Sequence, residues 1–221
     1  MQNVVLQSPV AFAQTPLKPE MGFINGMAIV NRYSDPDVES RHAATLAICD
    51  VSCLTRFAIK GPAAADSLKA KGIELPGSAN SWSRHDATLV MRLGNSEFLL
   101  EDPIGVQQCK ELTEQLQSGD GVHVVLRNDA SFILSGELLE ELLAQVCAIN
   151  LSGPMLADNQ LAMTSIAGVS VVVLRQEVAG QSLVRLWCDG TFGVYLWETL
   201  LNIIKELGGG PVGINQFFNS N

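Results

Sequence analysis

Three groups of residues in this chain have the types and spacing that chemistry uses. Glu101 and Asp102 are adjacent carboxylates, the raw material of general acid–base catalysis when one holds a proton that the other lacks. Cys49 and Cys53 form a thiol pair at i, i+4, which a metal or a redox reaction would need. Trp187, Tyr195 and Trp197 could stack a flat heterocycle, and any anionic ligand of this acidic chain would rest on local arginines such as Arg92, Arg127, Arg175 or Arg185.

Each group has a plainer explanation. Pro103 follows the carboxylates, so Asp102-Pro103 reads as a helix cap with a first-turn proline. Neighbours on a strand also point to opposite faces, which separates Glu101 from Asp102. The five cysteines, Cys49, Cys53, Cys109, Cys147 and Cys188, are odd in number and scattered through apolar contexts, as buried reduced thiols are. None of His42, His85 or His123 stands at a metal-motif spacing from the close pair; His85 reads as a solvated loop residue and His123 as a core histidine. Tyr195 and Trp197 are two apart on an expected helix and face different ways, which favours core packing. Walker, GxGxxG, HExxH and GxSxG motifs are all absent. No catalytic residue, metal ligand or cofactor-binding residue is assigned from the residues themselves.

The elements that must position these residues follow from composition and period. The chain has 221 residues, of which 47% are hydrophobic, enough for one large domain or two small fused ones. A formal net charge of −9 without a basic stripe argues against nucleic acid and against anionic membranes. No apolar run reaches the length of a membrane span, and Val4-Val5-Leu6 lacks the basic flank of a signal peptide, so a cytoplasmic protein is expected.

Residues 1–40, rich in proline and without a sustained period, are expected as an arm. Its apolar stretches, Phe23 and Ile24 among them, lie either on their own domain or on a partner subunit. Strands are expected between Thr45 and Lys60, then a helix from Pro62 to Lys71 capped by Gly72. A polar connection, Pro76 to Ser83, leads to a hairpin of Thr88–Leu93 and Glu97–Leu100, and a helix from Pro103 ends near Gly119. The sequence then echoes itself. Phe57, Ile59 and Gly61 find counterparts in Phe132, Leu134 and Gly136, each 75 positions on (57 to 132), and each set leads into a helical pattern. Strands at 122–126 and 131–134, a helix at 137–149 stopped by Ser152-Gly153-Pro154, strands at 161–166, 169–174 and 183–187, and a helix at 192–207 complete the second round. The fold class is therefore α+β and internally duplicated, with each unit running strands, helix, strands, helix. The expected division is arm 1–40, units of about 41–119 and 120–210, and tail 211–221, where the adjacent aromatics Phe217 and Phe218 suggest docking onto this chain or another.

The run Cys49-Asp50-Val51-Ser52 through Phe57-Ala58-Ile59-Lys60-Gly61-Pro62-Ala63-Ala64 resembles the opening of the folate-binding aminomethyltransferase, or glycine cleavage T protein, superfamily. Within it the gamma subunit family of heterotetrameric sarcosine oxidase is most similar, through the Leu93-Gly94-Asn95-Ser96-Glu97-Phe98-Leu99-Leu100 hairpin and the Thr191-Phe192-Gly193-Val194-Tyr195-Leu196-Trp197 helix start. The resemblance spans about residues 41 to 207.

It implies a duplicated folate-binding-type fold in a small, structural subunit of a flavoenzyme complex. The complex would oxidise an N-methyl group of sarcosine or a related amine. FAD, FMN, NAD and tetrahydrofolate would sit in the larger alpha, beta and delta partner subunits, and none on this chain. The partner contacts would fall to Phe23, Ile24, Phe217 and Phe218. The aminomethyltransferases carry a catalytic aspartate before the hairpin, whereas here the region Asn80 to Thr88 holds Asp86 alone. A stand-alone folate-binding protein without that aspartate is the alternative, and a self-associating domain without a ligand is the third reading.

Overall fold

The computed structural model describes residues 6–116, 118–119, 121–151, 156, 158–178 and 181–218. The chain is α+β and divides into two compact units, one of residues 54–128 with 158–162, the other of 1–53, 129–157 and 163–221. The expected boundaries at 40 and 119 differ from these because strands pair across sequence, and a unit closes where its sheet closes.

The smaller unit is a five-stranded sheet of β5 (Arg56–Lys60), β6 (Ser81–His85), β7 (Thr88–Gly94), β8 (Glu97–Glu101) and β9 (His123–Leu126), in the order β6-β7-β8-β5-β9. The strand β5 lies inside the sheet between β8 and β9, and Phe57 and Ile59 on one face of it pair across to Leu100 and Phe98 of β8. These side chains, with Leu68 of helix α3 (Ala64–Ala70) and Cys109 and Leu112 of α4 (Gln108–Gln115), form one buried cluster. Burying each large apolar side chain contributes about 1.5–3 kcal/mol. Helix α3 stops where expected. Gly72 takes φ +81, its N–H donates to Lys69 O (2.9 Å), and the Ile73 N–H donates to Leu68 O (3.1 Å).

Three expectations for this unit are corrected. Ser81–His85, expected as the end of the polar connection Pro76 to Ser83 and the loop holding His85, is an edge strand; an edge needs only one apolar face, so its polar residues hid it. The helix expected from Pro103 begins at Gln108, because Pro103–Gln107 form a turn first. His123 is exposed on edge strand β9, not a core histidine.

The larger unit holds a six-stranded sheet of β4 (Ala47–Asp50), β10 (Ala130–Ser135), β11 (Leu161–Ile166), β12 (Val169–Val178), β13 (Gln181–Cys188) and β14 (Gly210–Pro211), in the order β11-β12-β13-β10-β4-β14. Its central β10 is buried at every position, with β13 and β4 antiparallel on either side. Helix α5 (Leu139–Val146) buries Leu139, Leu142 and Leu143, and α6 (Gly193–Glu206) buries Leu196, Trp197, Leu200, Leu201 and Ile204, the i, i+3, i+4 stripe of each. The stop of α5 at Ser152-Gly153-Pro154 lies outside the described residues. The same unit has a three-stranded sheet of β1 (Leu6–Gln7), β2 (Glu20–Ile24) and β3 (Met27–Arg32), in the order β1-β3-β2. A short helix α1 (Ala11–Gln14) and helix α2 (Pro36–Thr45) flank β2 and β3 in sequence.

The reading of residues 1–40 as an arm outside the core is thereby corrected. Val10, Ile29 and Val30 are buried, so of the two placements open to these apolar stretches β3 takes the one on its own unit. Residues from 211 are also more than a tail. The Val212 N–H donates to Ile48 O (3.0 Å), and Val212 and Ile214 are buried. Among the described residues no helix is long and apolar enough to cross a membrane.

Candidate functional site

The larger unit encloses a carboxylate, Asp50, at the end of β4. It is 3% exposed, and four donors converge on it. Ser8 Oγ (2.5 Å) and Gln14 Nε2 (3.0 Å) donate to Oδ2, and Ser52 N (3.0 Å) and Ser52 Oγ (2.6 Å) donate to Oδ1. Ser8 and Gln14 come from the N-terminal segment, so this carboxylate binds that segment to the sheet. Ser52 Oγ in turn accepts from the Ser131 N–H of β10 (3.1 Å). All four donors are neutral. Burial consequently raises the Asp50 pKa, and the hydrogen bonds from Ser52, Ser8 and Gln14 oppose that rise.

Burial also raises the neighbouring Tyr33 hydroxyl, with the Asp50 carboxylate adding to that rise. It raises the Cys49 thiol, with Asp50 adding to the effect. The same cause pushes Cys188 up to about 12 and raises Cys109 beside Asp102. These thiols are held protonated, which makes them poor nucleophiles and poor metal ligands. Among the described residues no three His, Cys, Asp or Glu side chains gather as metal ligands.

The carboxylate pair Glu101-Asp102 is divided, as strand geometry requires. Glu101 pairs with Arg56 directly across the β5–β8 ladder, Nε to Oε2 at 2.9 Å, with both side chains buried. Asp102, fully buried, accepts from Thr88 Oγ1 (2.7 Å) and from the Cys109 N–H at the start of α4 (2.7 Å). Asp102 therefore does satisfy a helix N-terminus, from outside the helix and seven residues away. A fourth buried carboxylate, Glu39 of α2, accepts from the Tyr33 N–H, the Ser34 N–H (3.1 Å) and the Gly213 N–H (3.0 Å), and so holds the C-terminal segment. Ser8, Gln14 and Glu39 were not singled out from the sequence. Isolated polar residues carry no spacing signal.

The remaining candidates are dispersed. Trp187 and Trp197 are buried, Trp197 edge-on to Phe132 (5.5 Å) and stacked on Tyr33 (6.4 Å), while Tyr195 is exposed with its hydroxyl donating to Ala167 O (3.2 Å). Arg185 lies over Trp187 (4.9 Å), Arg92 over Phe98 (5.6 Å), and Arg175 pairs with Glu140. Arg127 is exposed. His85 belongs to β6, and its Nδ1 accepts from the Glu74 N–H (3.3 Å). Asp86 takes φ +51 in the β6–β7 turn with its side chain 88% exposed, a turn residue's position. Of the residues expected at partner contacts, Phe23 is 62% exposed, and Ile24, Phe217 and Phe218 are half-buried. A hollow of about 410 Å³ in the N-terminal segment is lined in part by Gln7, Phe12, Gln14, Lys18, Met21 and Ala28.

The chain matches no protein-family model and no curated protein sequence. The fold itself has solved counterparts. Glycine cleavage system aminomethyltransferase T from Bartonella henselae is similar to it with a TM-score of 0.68 at 20% identity, covering 89% of this chain and 57% of that one. A chain of the heterotetrameric sarcosine oxidase from Corynebacterium sp. U-96, in complex with pyrrole 2-carboxylate, is similar with a TM-score of 0.66 at 19% identity. There the coverage is 92% of this chain and 96% of that one. At such identities the likeness is one of fold.

Proposed function

We propose that this chain is a gamma-type, non-catalytic subunit of a heterotetrameric sarcosine-oxidase-like flavoenzyme complex that oxidatively demethylates sarcosine or a related N-methyl amine. The observation that carries this reading is coverage. The likeness extends over 96% of a sarcosine oxidase chain, whereas this chain spans 57% of the aminomethyltransferase. The chemistry of the buried carboxylates agrees with a structural role. Asp50, Glu101, Asp102 and Glu39 each receive internal donors, and the lone Asp86 forms a turn.

In this reading FAD, FMN, NAD and tetrahydrofolate belong to the alpha, beta and delta partners, and this chain contributes rigidity and contact surface. In this reading no folate site is assigned to this chain, and the engagement of Arg92, Arg175 and Arg185 with Phe98, Glu140 and Trp187 supports that assignment. Duplication belongs to the same proposal. The shared 75-residue offset and the matching strand orders around β5 and β10 support two copies of one ancestral unit.

The test is purification of the tagged chain from its native host, with the mass of co-purifying material, a visible spectrum and sarcosine-dependent dye reduction measured on one sample. Larger stoichiometric subunits with flavin absorbance and sarcosine turnover are expected. A colourless lone chain whose melting temperature rises with tetrahydrofolate would overturn the reading in favour of a stand-alone folate-binding protein.

A further inference from the structure

The hollow of about 410 Å³ in the N-terminal segment has two walls of different origin. One is the three-stranded sheet. Gln7 of β1 and Phe23 of β2 both pair with Ala28 of β3, and Met21 lies two residues from Phe23, so Gln7, Ala28 and Met21 share one sheet face. The other wall is Phe12 and Gln14 of α1 and Lys18, which ends the single helical turn Thr15–Leu17. The volume is that of a small-molecule site, for which about 300–1,000 Å³ is usual.

Two polar groups stand at this hollow with capacity to spare. Gln14 is 2% exposed, and its Nε2 donates to Asp50 Oδ2 (3.0 Å). An amide carries donor and acceptor on opposite branches, so holding Nε2 at Asp50 turns Oε1 away from that carboxylate. Among the described residues no donor reaches Gln14 Oε1. A molecule that fills the hollow must bring a donor to this oxygen or leave it dry and unpaired, which is costly. Lys18 is exposed and makes no ion pair among the described residues, while Glu20, two positions on, lies 3.9 Å from Arg32. The rest of the lining is largely apolar. Phe12 and Met21 are 84% and 49% exposed, and covering them would drive binding.

We propose that this hollow binds a small aryl carboxylate carrying a hydroxyl or N–H donor, with its carboxylate on Lys18, its ring against Phe12 and Met21, and its donor on Gln14 Oε1. Charge selects this class. In a chain of formal charge −9 an anion stays only where a local cation holds it. One lysine matches the single charge of a carboxylate better than a phosphate ester, which carries nearly two.

The inference goes beyond the subunit reading and fails separately from it, because binding is read on the isolated full chain whatever that chain assembles with. The probe is para-hydroxyphenylacetate, titrated by calorimetry and by NMR of the Gln14 side-chain amide. Saturable binding is expected, with shifts at Gln14, Lys18 and Ala28 and an affinity that falls as salt rises. Tyrosol, which keeps the phenol and ring but has an alcohol in place of the carboxylate, should bind about fivefold more weakly. Para-methoxyphenylacetate, whose ether oxygen has no proton to give, should bind about tenfold more weakly. Lys18→Gln should bring the acid down to the affinity of tyrosol and leave tyrosol itself unchanged. Ala28→Leu fills part of the hollow and should abolish binding of all three, with the melting temperature showing that the fold persists. No saturable binding at millimolar probe overturns the proposal. So does equal affinity for the acid and tyrosol, or binding that Lys18→Gln and Ala28→Leu both leave unchanged.

Discussion

The two sheets carry the same strand order around β5 and β10, yet they bury charge differently. In the smaller unit Arg56 and Glu101 face one another across β5 and β8 as an ion pair. At the corresponding place in the larger unit, Ser131 of β10 faces Trp187 of β13, and the guanidinium of Arg185 lies over that indole. One strand over, Asp50 of the larger unit is a buried carboxylate whose four donors are all neutral. A buried carboxylate beside a cation has a counter-charge where water was lost. One beside hydroxyls and amides is desolvated without full compensation, and its pKa rises.

The ion pair gives the largest expected effect. Glu101→Leu removes the partner of a buried guanidinium and should cost about 3–5 kcal/mol in urea unfolding. The double variant Arg56→Met/Glu101→Leu should recover most of that loss, since an apolar pair of similar volume often substitutes for a buried ion pair. A double variant as unstable as Glu101→Leu alone would show that the pair is held by more than its mutual charge.

Asp50 should rank next. Asp50→Ala strands the donors of Ser8, Gln14 and Ser52 and should cost about 2–3 kcal/mol, with early proteolysis of the N-terminal segment as its signature. The pH dependence has a definite sign. A carboxyl whose folded pKa lies above its ordinary 3.8 binds more protons in the folded state, so its contribution is fully present below that value. It is lost as pH rises through the folded pKa. Asp50→Asn, which has no such proton to lose, should therefore gain on the parent as pH rises from acid toward neutral. Parallel stability curves for the two proteins would contradict the raised pKa.

How much of this was legible in the sequence depended on whether a residue's role is periodic. Helix α3 and its stop at Gly72, the β7–β8 hairpin, and α6 were readable because apolar spacing and glycine punctuation are local signals. The hairpin β2–β3 was also announced, by Asn25-Gly26 between apolar runs, but the prolines around it drew attention away. Asp35-Pro36 likewise marks the start of α2, which went unread. Asp50, Ser8, Gln14 and Glu39 meet only through tertiary contacts, the longest joining Glu39 to Gly213 across 174 positions, and no spacing rule foretells such a meeting. The residues expected at partner contacts divided in the same way. Exposure of Phe23 followed from its place on an edge strand, while Phe217 and Phe218 are half-covered because Glu39 and Ile48 fasten the segment before them.

The smallest effect sharpens the comparison best, because there the two units use the same device in different surroundings. Asp102 follows β8 and accepts the Cys109 N–H of α4; Asp189 follows β13 and accepts the Thr191 N–H (2.9 Å) and the Thr191 hydroxyl (2.7 Å) just before α6. Asp102 is fully buried, whereas Asp189 is exposed. Loss of a cap costs about 0.5–2 kcal/mol, and water decides where in that range a given cap falls. When Asp189 is replaced by alanine, solvent reaches the freed N–H, so the cost should lie near the bottom of the range. When Asp102 is replaced, the Cys109 N–H and the Thr88 hydroxyl both stay dry, and the cost should lie at or above the top. Equal losses for Asp102→Ala and Asp189→Ala in matched urea titrations would mean that burial does not set the value of these caps.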